Sequence, residues 1–179
     1  DDYDRLPSTV PIYGLAEGKD SRGGSSVSGN EVRNLAVNPD AYTYHLRSYP
    51  RATSNSHYRY RPEFSPNHVL DGQRTSGRYW RPARRTDVWL TVEFGREVET
   101  ERVVLVLQQH EGQGRTWTGA TLEFSSGEKV PISLRNTSAP QEFSFPRQKW
   151  AWIKLVDFQE RFPLGDHGIV EFEAYGKDL

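Results

Sequence analysis

The sequence of 179 residues contains no cysteine, no methionine and no long apolar run. Without cysteine no disulfide can form, but a chain of this length buries roughly 70% of its unfolded surface and needs no such staple. No segment approaches the roughly 20 apolar residues of a membrane-spanning helix, and the first ten residues lack the basic and apolar regions of a signal peptide. Because no methionine occurs anywhere, including position 1, we expect either a processed product or a piece of a longer polypeptide, and we favour a piece that is linked to further domains.

An excess of charge of either sign is lacking as well. The 23 lysines and arginines nearly balance the 24 aspartates and glutamates, which leaves a net charge of −1. This balance argues against nucleic acid as a partner, because nucleic acid is bound through a positive field. We predict a monomer that neither binds nucleic acid nor inserts into a membrane.

Motifs of catalytic sites are the third absence. The sequence contains no G-x-S-x-G, H-E-x-x-H or P-loop motif, and its five histidines lack metal-ligand spacing. Glu111 and Asp166 are residue types found in glycosidase pairs, but such a pair requires carboxyl groups held about 5 to 10 Å apart. We therefore predict a protein without catalytic activity, and a glycan-active enzyme is the weaker alternative.

Alternating and continuous apolar runs predict β-strands. Apolar and polar residues alternate at 88–94, which is the period of a half-buried strand, and the apolar run within 102–108 is typical of a strand buried on both sides. A loop at 96–101 is predicted between them. Further strands are predicted at 141–145, 150–158 and 169–175, and a hairpin at 120–134.

The number of short strands decides the predicted fold class. Several strands separated by turns, without any long helical period, predict an all-β sandwich. Residues 1–33 are rich in glycine and serine and lack periodicity, which predicts an irregular strap or linker. The sandwich is expected to span residues 34–179.

A segment before the first of these strands combines aromatic rings with arginines. Four arginines fall within residues 78–85 and surround Tyr79 and Trp80. Sugars are bound by an aromatic face against their C–H surface and by planar donors for their hydroxyls, and arginine also matches a carboxylate in bidentate fashion. The composition predicts a saccharide-binding surface and favours an acidic, uronate-containing saccharide. The candidate carbohydrate-binding residues are Trp80, Arg81, Arg84, His110, Glu111, Arg115, Trp117, Phe162 and His167.

The aromatic candidates also have alternative structural roles. Trp80 can be a core residue, and Trp117, which lies in a glycine-rich segment, can either pack or bind. The loop at 161–168 offers Phe162 as a stacking ring and His167 as a hydrogen-bond donor, or it is a turn anchored by an apolar residue.

Several elements in a fixed order carry a resemblance. Asn67-x-x-Leu70-Asp71-Gly72 is followed by Trp80, by DVWLTVEFG, by a run of valines and finally by IVEFEAYG. This order resembles the discoidin-like domains, also called coagulation factor 5/8 type C domains, whose bacterial members include the family thirty-two carbohydrate-binding modules. The resemblance covers residues 34–177. An RTDxW strand and an ATxEFSxG hairpin are similar to a bacterial group of carbohydrate-associated modules.

The resemblance implies a jelly-roll β-sandwich of the galactose-binding-domain-like type, without catalytic activity, whose loops at one end hold the ligand. It also implies that the module targets a secreted or cell-surface parent protein to a polysaccharide or oligosaccharide. Discoidin-like domains also bind proteins and lipids, so a cell-surface adhesion module is the alternative. Lipid binders of this kind expose apolar loop tips, whereas these loops are rich in arginine, glycine and glutamine, which favours a glycan.

The resemblance further implies a structural Ca²⁺ ion. In the family, the aspartate of the Asp-Gly turn and a glutamate near the last strand act as ligands, and Asp71 and Glu171 match these positions. Ca²⁺ takes six to eight oxygen ligands, which carboxylates and the carbonyls of a tight loop can supply. The chain departs from the family pattern at Arg74, which would repel the ion if it pointed inward. Alternatively, Asp71 only caps its own turn.

Overall fold

The structure is a computed structural model and describes residues 31–41, 48–75, 77–83, 87–108, 117–160 and 167–179. Within these ranges it contains seven β-strands and three short 3₁₀ helices, and no α-helix. The strands are β1 (Arg33–Asn34), β2 (Arg51–Ser54), β3 (Leu90–Leu107), β4 (Trp117–Phe124), β5 (Lys129–Ser133), β6 (Gln141–Glu160) and β7 (Ile169–Asp178). The 3₁₀ helices are Tyr58–Tyr60, Pro62–Phe64 and Pro66–Leu70. In the described part of the chain, no helix has the length and apolar character that crossing a membrane requires.

The strands form one antiparallel sheet that folds into two layers. Their order is β1-β7-β3-β6-β4-β5, and β2 pairs with β3. The strands β3 and β6 belong to both layers. The first half of β3 pairs with β2 and with the second half of β6, whereas its second half pairs with β7 and with the first half of β6. The predicted all-β sandwich is confirmed.

The loop predicted at 96–101 is instead a bulged part of β3. The register between β3 and β6 shifts between Glu93 and Val98 and again between Thr100 and Arg102. Gly95 has a φ of 72°, a conformation that glycine adopts without steric cost. The charged segment therefore bends the strand from one layer into the other without ending it. The prediction was wrong because a bulge and a loop have the same composition.

The strands predicted at 141–145 and 150–158 are parts of the single strand β6. Ile153 and Leu155 are buried, whereas the alternating positions Trp152 and Lys154 are only half-buried. Asp157 has a φ of 51° and lies where the register between β4 and β6 shifts. Beyond this bulge Phe158 packs against the core. The side of β6 that points into the core thus changes along the strand. For this reason the alternation of residues in the sequence did not show which side enters the core.

The remaining predicted strands agree with the structure. The hairpin predicted at 120–134 is formed by β4 and β5, with a turn at residues 125–128. The strand predicted at 169–175 is β7, which continues to Asp178. Of the predicted strap, residues 1–30 lie outside the described residues, and Arg33 already pairs with β7.

The core lies between the two layers and is rich in large aromatic rings. Trp150 stacks on Phe124 at 4.0 Å between ring centroids, and its Nε1 donates a hydrogen bond of 2.5 Å to Thr100 Oγ1. Each fully buried large apolar side chain contributes about 1.5–3 kcal/mol to stability. The largest of these are Trp80, Trp117, Trp150, Phe94, Phe124 and Phe172.

Several strands begin or end at one end of the sandwich. Leu107 at the end of β3 lies opposite Ile169 at the start of β7. Trp117 at the start of β4 lies opposite Glu160 at the end of β6. Trp80 contacts both pairs of strand ends, because it forms a β-bridge with Ile169 and stacks on Trp117 at 5.9 Å. We call this the loop end, and it comprises these strand termini and residues 55–65 and 77–83.

Candidate functional site

Trp80 and Trp117 are core residues. They are 0% and 1% exposed, and the ring of Trp117 lies 4.3 Å from that of Phe158. The indole Nε1 of Trp80 donates to the carbonyl oxygen of Ser56 at 2.9 Å. Neither indole offers a face to a ligand in solution, so the prediction that these two rings stack on sugar was wrong. The alternative role of Trp80 in the core is the one that the structure supports.

His167 lies beneath the loop end and not on its surface. Its ring stacks on Trp117 at 5.0 Å, and its Nε2 lies 3.4 Å from Glu160 Oε2. Its side chain is 4% exposed, so it packs against the core and does not face solvent as a hydrogen-bond donor. Five other candidates lie outside the described residues, and their roles stay predictions: Arg84, His110, Glu111, Arg115 and Phe162.

Arg81 is the predicted binding residue that the structure places in an aromatic surface. Its guanidinium carbon lies 4.0 Å from the ring centroid of Tyr58 and 5.4 Å from that of Phe64. Its carbonyl oxygen accepts a 2.6 Å hydrogen bond from the backbone N–H of Tyr58. The arginine is therefore fixed between two rings from a different segment. These contacts cross about twenty residues of sequence, so no local pattern predicted them.

The turn at Tyr58–Tyr60 presents a ring to solvent. Tyr60 is 84% exposed, and the ring of His57 packs edge-on against it at 5.2 Å. Arg59 and Tyr60 have φ values of 51° and 52°, which non-glycine residues rarely adopt. Such strain persists only where the surrounding structure fixes it, and it is often found at binding sites. We call this surface the aromatic rim, which comprises His57, Tyr58, Arg59, Tyr60, Phe64 and Arg81.

The aromatic rim is anchored from below and carries positive charge. The Asn55 side chain donates to the carbonyl oxygen of Asp87 at 2.8 Å and accepts from the backbone N–H of Trp89 at 3.0 Å. The described residues of the loop end and Asp87 together contain four arginines and three acidic residues, and one arginine, Arg61, lies 3.4 Å from the Glu63 carboxylate. The loop end therefore has an excess of positive charge although the whole chain is nearly neutral.

Asp71 and Glu171 lie together on the outer side of β7. Glu171 is 0% exposed, and its Oε1 accepts a 3.0 Å hydrogen bond from the backbone N–H of Gly72. Its Oε2 is buried and has no hydrogen-bond partner. Burial, together with the nearby carboxylate of Asp71, raises the pKa of Glu171 to about 9. A buried carboxyl group in this setting requires either a proton or a cation.

Arg74 does not oppose a cation at this pair. Its Nε and Nη2 atoms donate to the two carboxylate oxygens of Glu173 at 2.6 and 2.7 Å, and the Tyr175 hydroxyl donates to the same carboxylate at 2.9 Å. Burial alone would raise the pKa of Glu173, but these hydrogen bonds hold it below the usual value. The guanidinium is thus neutralised by its own bidentate partner.

Few protein oxygen atoms are available to bind a cation at Asp71 and Glu171. Asp71 Oδ1 also accepts a 2.8 Å hydrogen bond from the backbone N–H of Gln73, so the aspartate caps its turn as well. Across the described ranges, no group of three or more histidine or acidic side chains converges. The buried Oε2 of Glu171 and the neighbouring carboxylate fit a Ca²⁺ ion if carbonyl oxygens and water complete its shell.

Comparison of the sequence with family models and with curated proteins finds no match. Solved structures do match. A family 32 carbohydrate-binding module of C. perfringens NanJ, in complex with galactose, has a TM-score of 0.58 at 13% identity over 81% of this chain and 99% of that chain. A chitosan-binding module of a Paenibacillus chitosanase/glucanase, in complex with chitotriose, has a TM-score of 0.59 at 15% identity over 80% and 100%.

A third similar structure is the family 32 module of AlyQ, in complex with 4,5-unsaturated mannuronic acid. Its TM-score is 0.52 at 17% identity, over 69% of this chain and 92% of that chain. The chain has the discoidin-like fold. The discoidin-like β-sandwich expected from the sequence is thereby confirmed.

Proposed function

We propose that the chain is a non-catalytic carbohydrate-binding module that holds a polysaccharide or oligosaccharide at the aromatic rim. The observation that carries this proposal is the exposed Tyr60 ring beside the fixed pair of Arg81 and Tyr58. A ring of this kind stacks on the C–H face of a sugar, and the guanidinium donates to its oxygens. The similar modules bind galactose, chitotriose and unsaturated mannuronic acid, which supports a sugar as the ligand.

An acidic saccharide is the ligand class that we propose. Arginine pairs with a carboxylate through two parallel hydrogen bonds, and the loop end has more arginines than acidic residues. The mannuronate complex of the AlyQ module supports a uronate-containing chain. A lipid ligand is less well supported, because Tyr60 is the only strongly exposed large apolar side chain in the described part of the loop end.

The test is glycan binding by rim variants, measured by calorimetry with oligomannuronate and chitooligosaccharide at low and high salt. We expect Y60A and R81A each to weaken binding about tenfold, since stacking and charged hydrogen bonds each contribute about 1–3 kcal/mol. The arginine control is R147A, whose ion pair with Glu101 is exposed and lies away from the loop end. An acidic ligand predicts weaker binding at high salt. Unchanged affinity in both rim variants would reject the aromatic rim.

We also propose that the module belongs to a larger secreted or cell-surface protein that acts on polysaccharide. The similar chitosan-binding module derives from a chitosanase/glucanase, which supports such a parent. An antibody against this chain should detect a polypeptide larger than 20.6 kDa in the extracellular or surface fraction of the source cells. A product of 20.6 kDa confined to the cell interior would contradict the proposal.

We propose in addition that Asp71 and Glu171 bind a structural Ca²⁺ ion. The buried and unpartnered Oε2 of Glu171 supports the proposal, because a cation would supply the missing positive partner. The bidentate pairing of Arg74 with Glu173 supports it too. Thermal stability with and without calcium is the decisive measurement.

A further inference from the structure

Two tryptophans lie on the outer surface of the sandwich, away from the core. Val88 and Leu90 are buried, so Trp89 between them faces outward and is half-buried. Trp152 on β6 is also half-buried and lies opposite Glu93 in register. Partly exposed tryptophan rings on an otherwise polar sheet surface are typical of binding surfaces. We call this surface the tryptophan face, which comprises Arg51, Trp89, Thr91, Glu93, Trp152 and Lys154.

The charged side chains of the tryptophan face are paired. Arg51 Nε lies 2.6 Å from Glu93 Oε2. The Lys154 ammonium lies 4.7 Å from the ring centroid of Trp89. On the neighbouring strands Lys129 lies 3.4 Å from Glu123. A protein interface of standard size has a core depleted in charged residues, whereas here charged groups stand between the two rings. Rings separated by hydrogen-bonding groups instead match a chain of sugars, which alternates C–H faces and hydroxyls.

The tryptophan face continues from the aromatic rim. The backbone N–H of Trp89 donates to the side chain of Asn55, two residues before His57. Trp152 lies opposite Glu93, which is four residues beyond Trp89, so the backbone positions of the two tryptophans are about 13 Å apart along the strand direction. A ligand that starts at the rim and passes over both rings must therefore be an extended chain of several sugar units.

We propose that the tryptophan face extends the loop-end site, so that the module binds along the interior of a polysaccharide chain and not only its terminal sugar. The inference rests on the proposed function and identifies its ligand as an extended oligosaccharide. The aromatic rim contacts the first sugar units, and Trp89 and Trp152 contact units further along. The Lys154 ammonium can leave the Trp89 ring for a sugar hydroxyl at little cost, since a cation–π contact at the surface is worth only about 0.5–1 kcal/mol.

The experiment compares a trisaccharide with an octasaccharide of the same series, using both oligomannuronates and chitooligosaccharides. We expect the wild-type chain to bind the octasaccharide at least about tenfold more tightly, because added subsites act on a ligand already held. W152A should lose this gain and keep the affinity for the trisaccharide. W152F retains an aromatic face and should keep most of the gain. Y60A should weaken both ligands.

Each outcome bears on one of the two proposals. Equal affinity of the wild-type chain for both lengths, or an undiminished gain in W152A, overturns the tryptophan face and leaves the aromatic rim intact. Absence of binding to every probe overturns both. If W152A does not fold, the indole N–H signals of the wild-type chain in NMR replace it, with Trp89 and Trp152 assigned through phenylalanine variants. Those two signals should shift with the octasaccharide only, and shifts confined to other residues overturn the proposal.

Discussion

At the scale of single residues, the aromatic side chains near the loop end divide into buried or half-buried rings and the exposed ring of Tyr60. Trp80 and Trp117 are of the residue type that stacks on sugars, yet both are buried against Phe158. The alternative role of Trp80 in the core was visible from the sequence, because the resembling domains have a core tryptophan there. Arg81 lies against Tyr58 and Phe64, which come from a separate segment, and its role in sugar binding stays a prediction. Which ring faces water depends on these long-range contacts.

His68 provides a test of local electrostatics. Its Nε2 lies 2.7 Å from the carbonyl oxygen of Pro62, and burial lowers its pKa from the usual 6.5. The folded state therefore takes up a proton less readily than the unfolded state. The contribution of neutral His68 to the free energy of unfolding is complete above pH 6.5. It decreases as the pH falls below that value, by at most about 1.4 kcal/mol per pH unit.

Urea denaturation at pH 7.5 and 5.5 measures this effect. We expect the free energy of unfolding of the wild-type chain to decrease more over this interval than that of H68Q, whose amide can still donate to Pro62 without titrating. Carboxylates titrate in both proteins, so the difference between them isolates the histidine. An equal decrease in both proteins would show that His68 does not titrate differently in the folded state.

At the scale of elements, the alternation of apolar and polar residues located the strands, but it did not show which segments join into one strand. The segments predicted as separate strands around 96–101 are one strand, because Gly95 permits a bulge that carries β3 between layers. The segments predicted at 141–145 and 150–158 are likewise one strand, β6. A bulge at Asp157 changes which side of that strand points into the core. The hairpin of β4 and β5 was predicted correctly, since both strands and their turn are local in sequence. Bulges depend on pairing with strands that are distant in the sequence. The alternation of apolar and polar residues within one segment contains no information about that pairing.

Gly95 allows the bulge to be tested. A Cβ atom at this position would collide with the ring of Tyr49, and the backbone φ of 72° disfavours any other residue. Gly127 in the β4–β5 turn also has a positive φ, of 89°, but a Cβ there meets no atom within 4 Å. We expect G127A to lower the free energy of unfolding by about 1 kcal/mol through backbone strain alone, and G95A to lower it by more.

Chemical denaturation of the two variants measures the difference. Because both carry the same substitution at a positive φ, the excess loss in G95A reports the collision with Tyr49. Equal losses would mean that the ring moves aside at no cost, and the close packing at the bulge would not contribute to stability.

At the scale of the whole molecule, the order of short motifs predicted the architecture. The Asp-Gly turn, Trp80 and the last strand are each weak signals, but in their joint order they resemble the discoidin-like domains, whose fold this chain has. The turn at Asp71–Gly72 rests against Glu171, a residue about a hundred positions later. That contact links the segment before β3 to the final strand, so a cation there would stabilise the fold as a whole.

Calcium should therefore raise the melting temperature. At a hundredfold excess over its dissociation constant a ligand stabilises by about 2.7 kcal/mol, which corresponds to about 5–10 °C for a domain of this size. E171Q should fold, because glutamine resembles the protonated carboxyl group, and its melting temperature should not respond to calcium. The control E142Q changes an exposed carboxylate that pairs with Arg102 and should respond as the wild type does.

Differential scanning calorimetry with added CaCl₂ and with a chelator decides the matter. An identical melting temperature of the wild-type chain in both conditions would exclude a calcium site. A calcium response that persists unchanged in E171Q would place the ion elsewhere.

The pairing of β1 with β7 fixes where the described chain enters the sandwich and where its last strand ends. Arg33 lies opposite Gly176, so the first and last strands are neighbours. Gly176 is about 23 Å along β7 from Ile169, which lies at the loop end. Arg33 and Gly176 therefore lie at the side of the sandwich opposite the loop end. A ligand bound at the loop end, as proposed, would leave both of these strand ends uncovered.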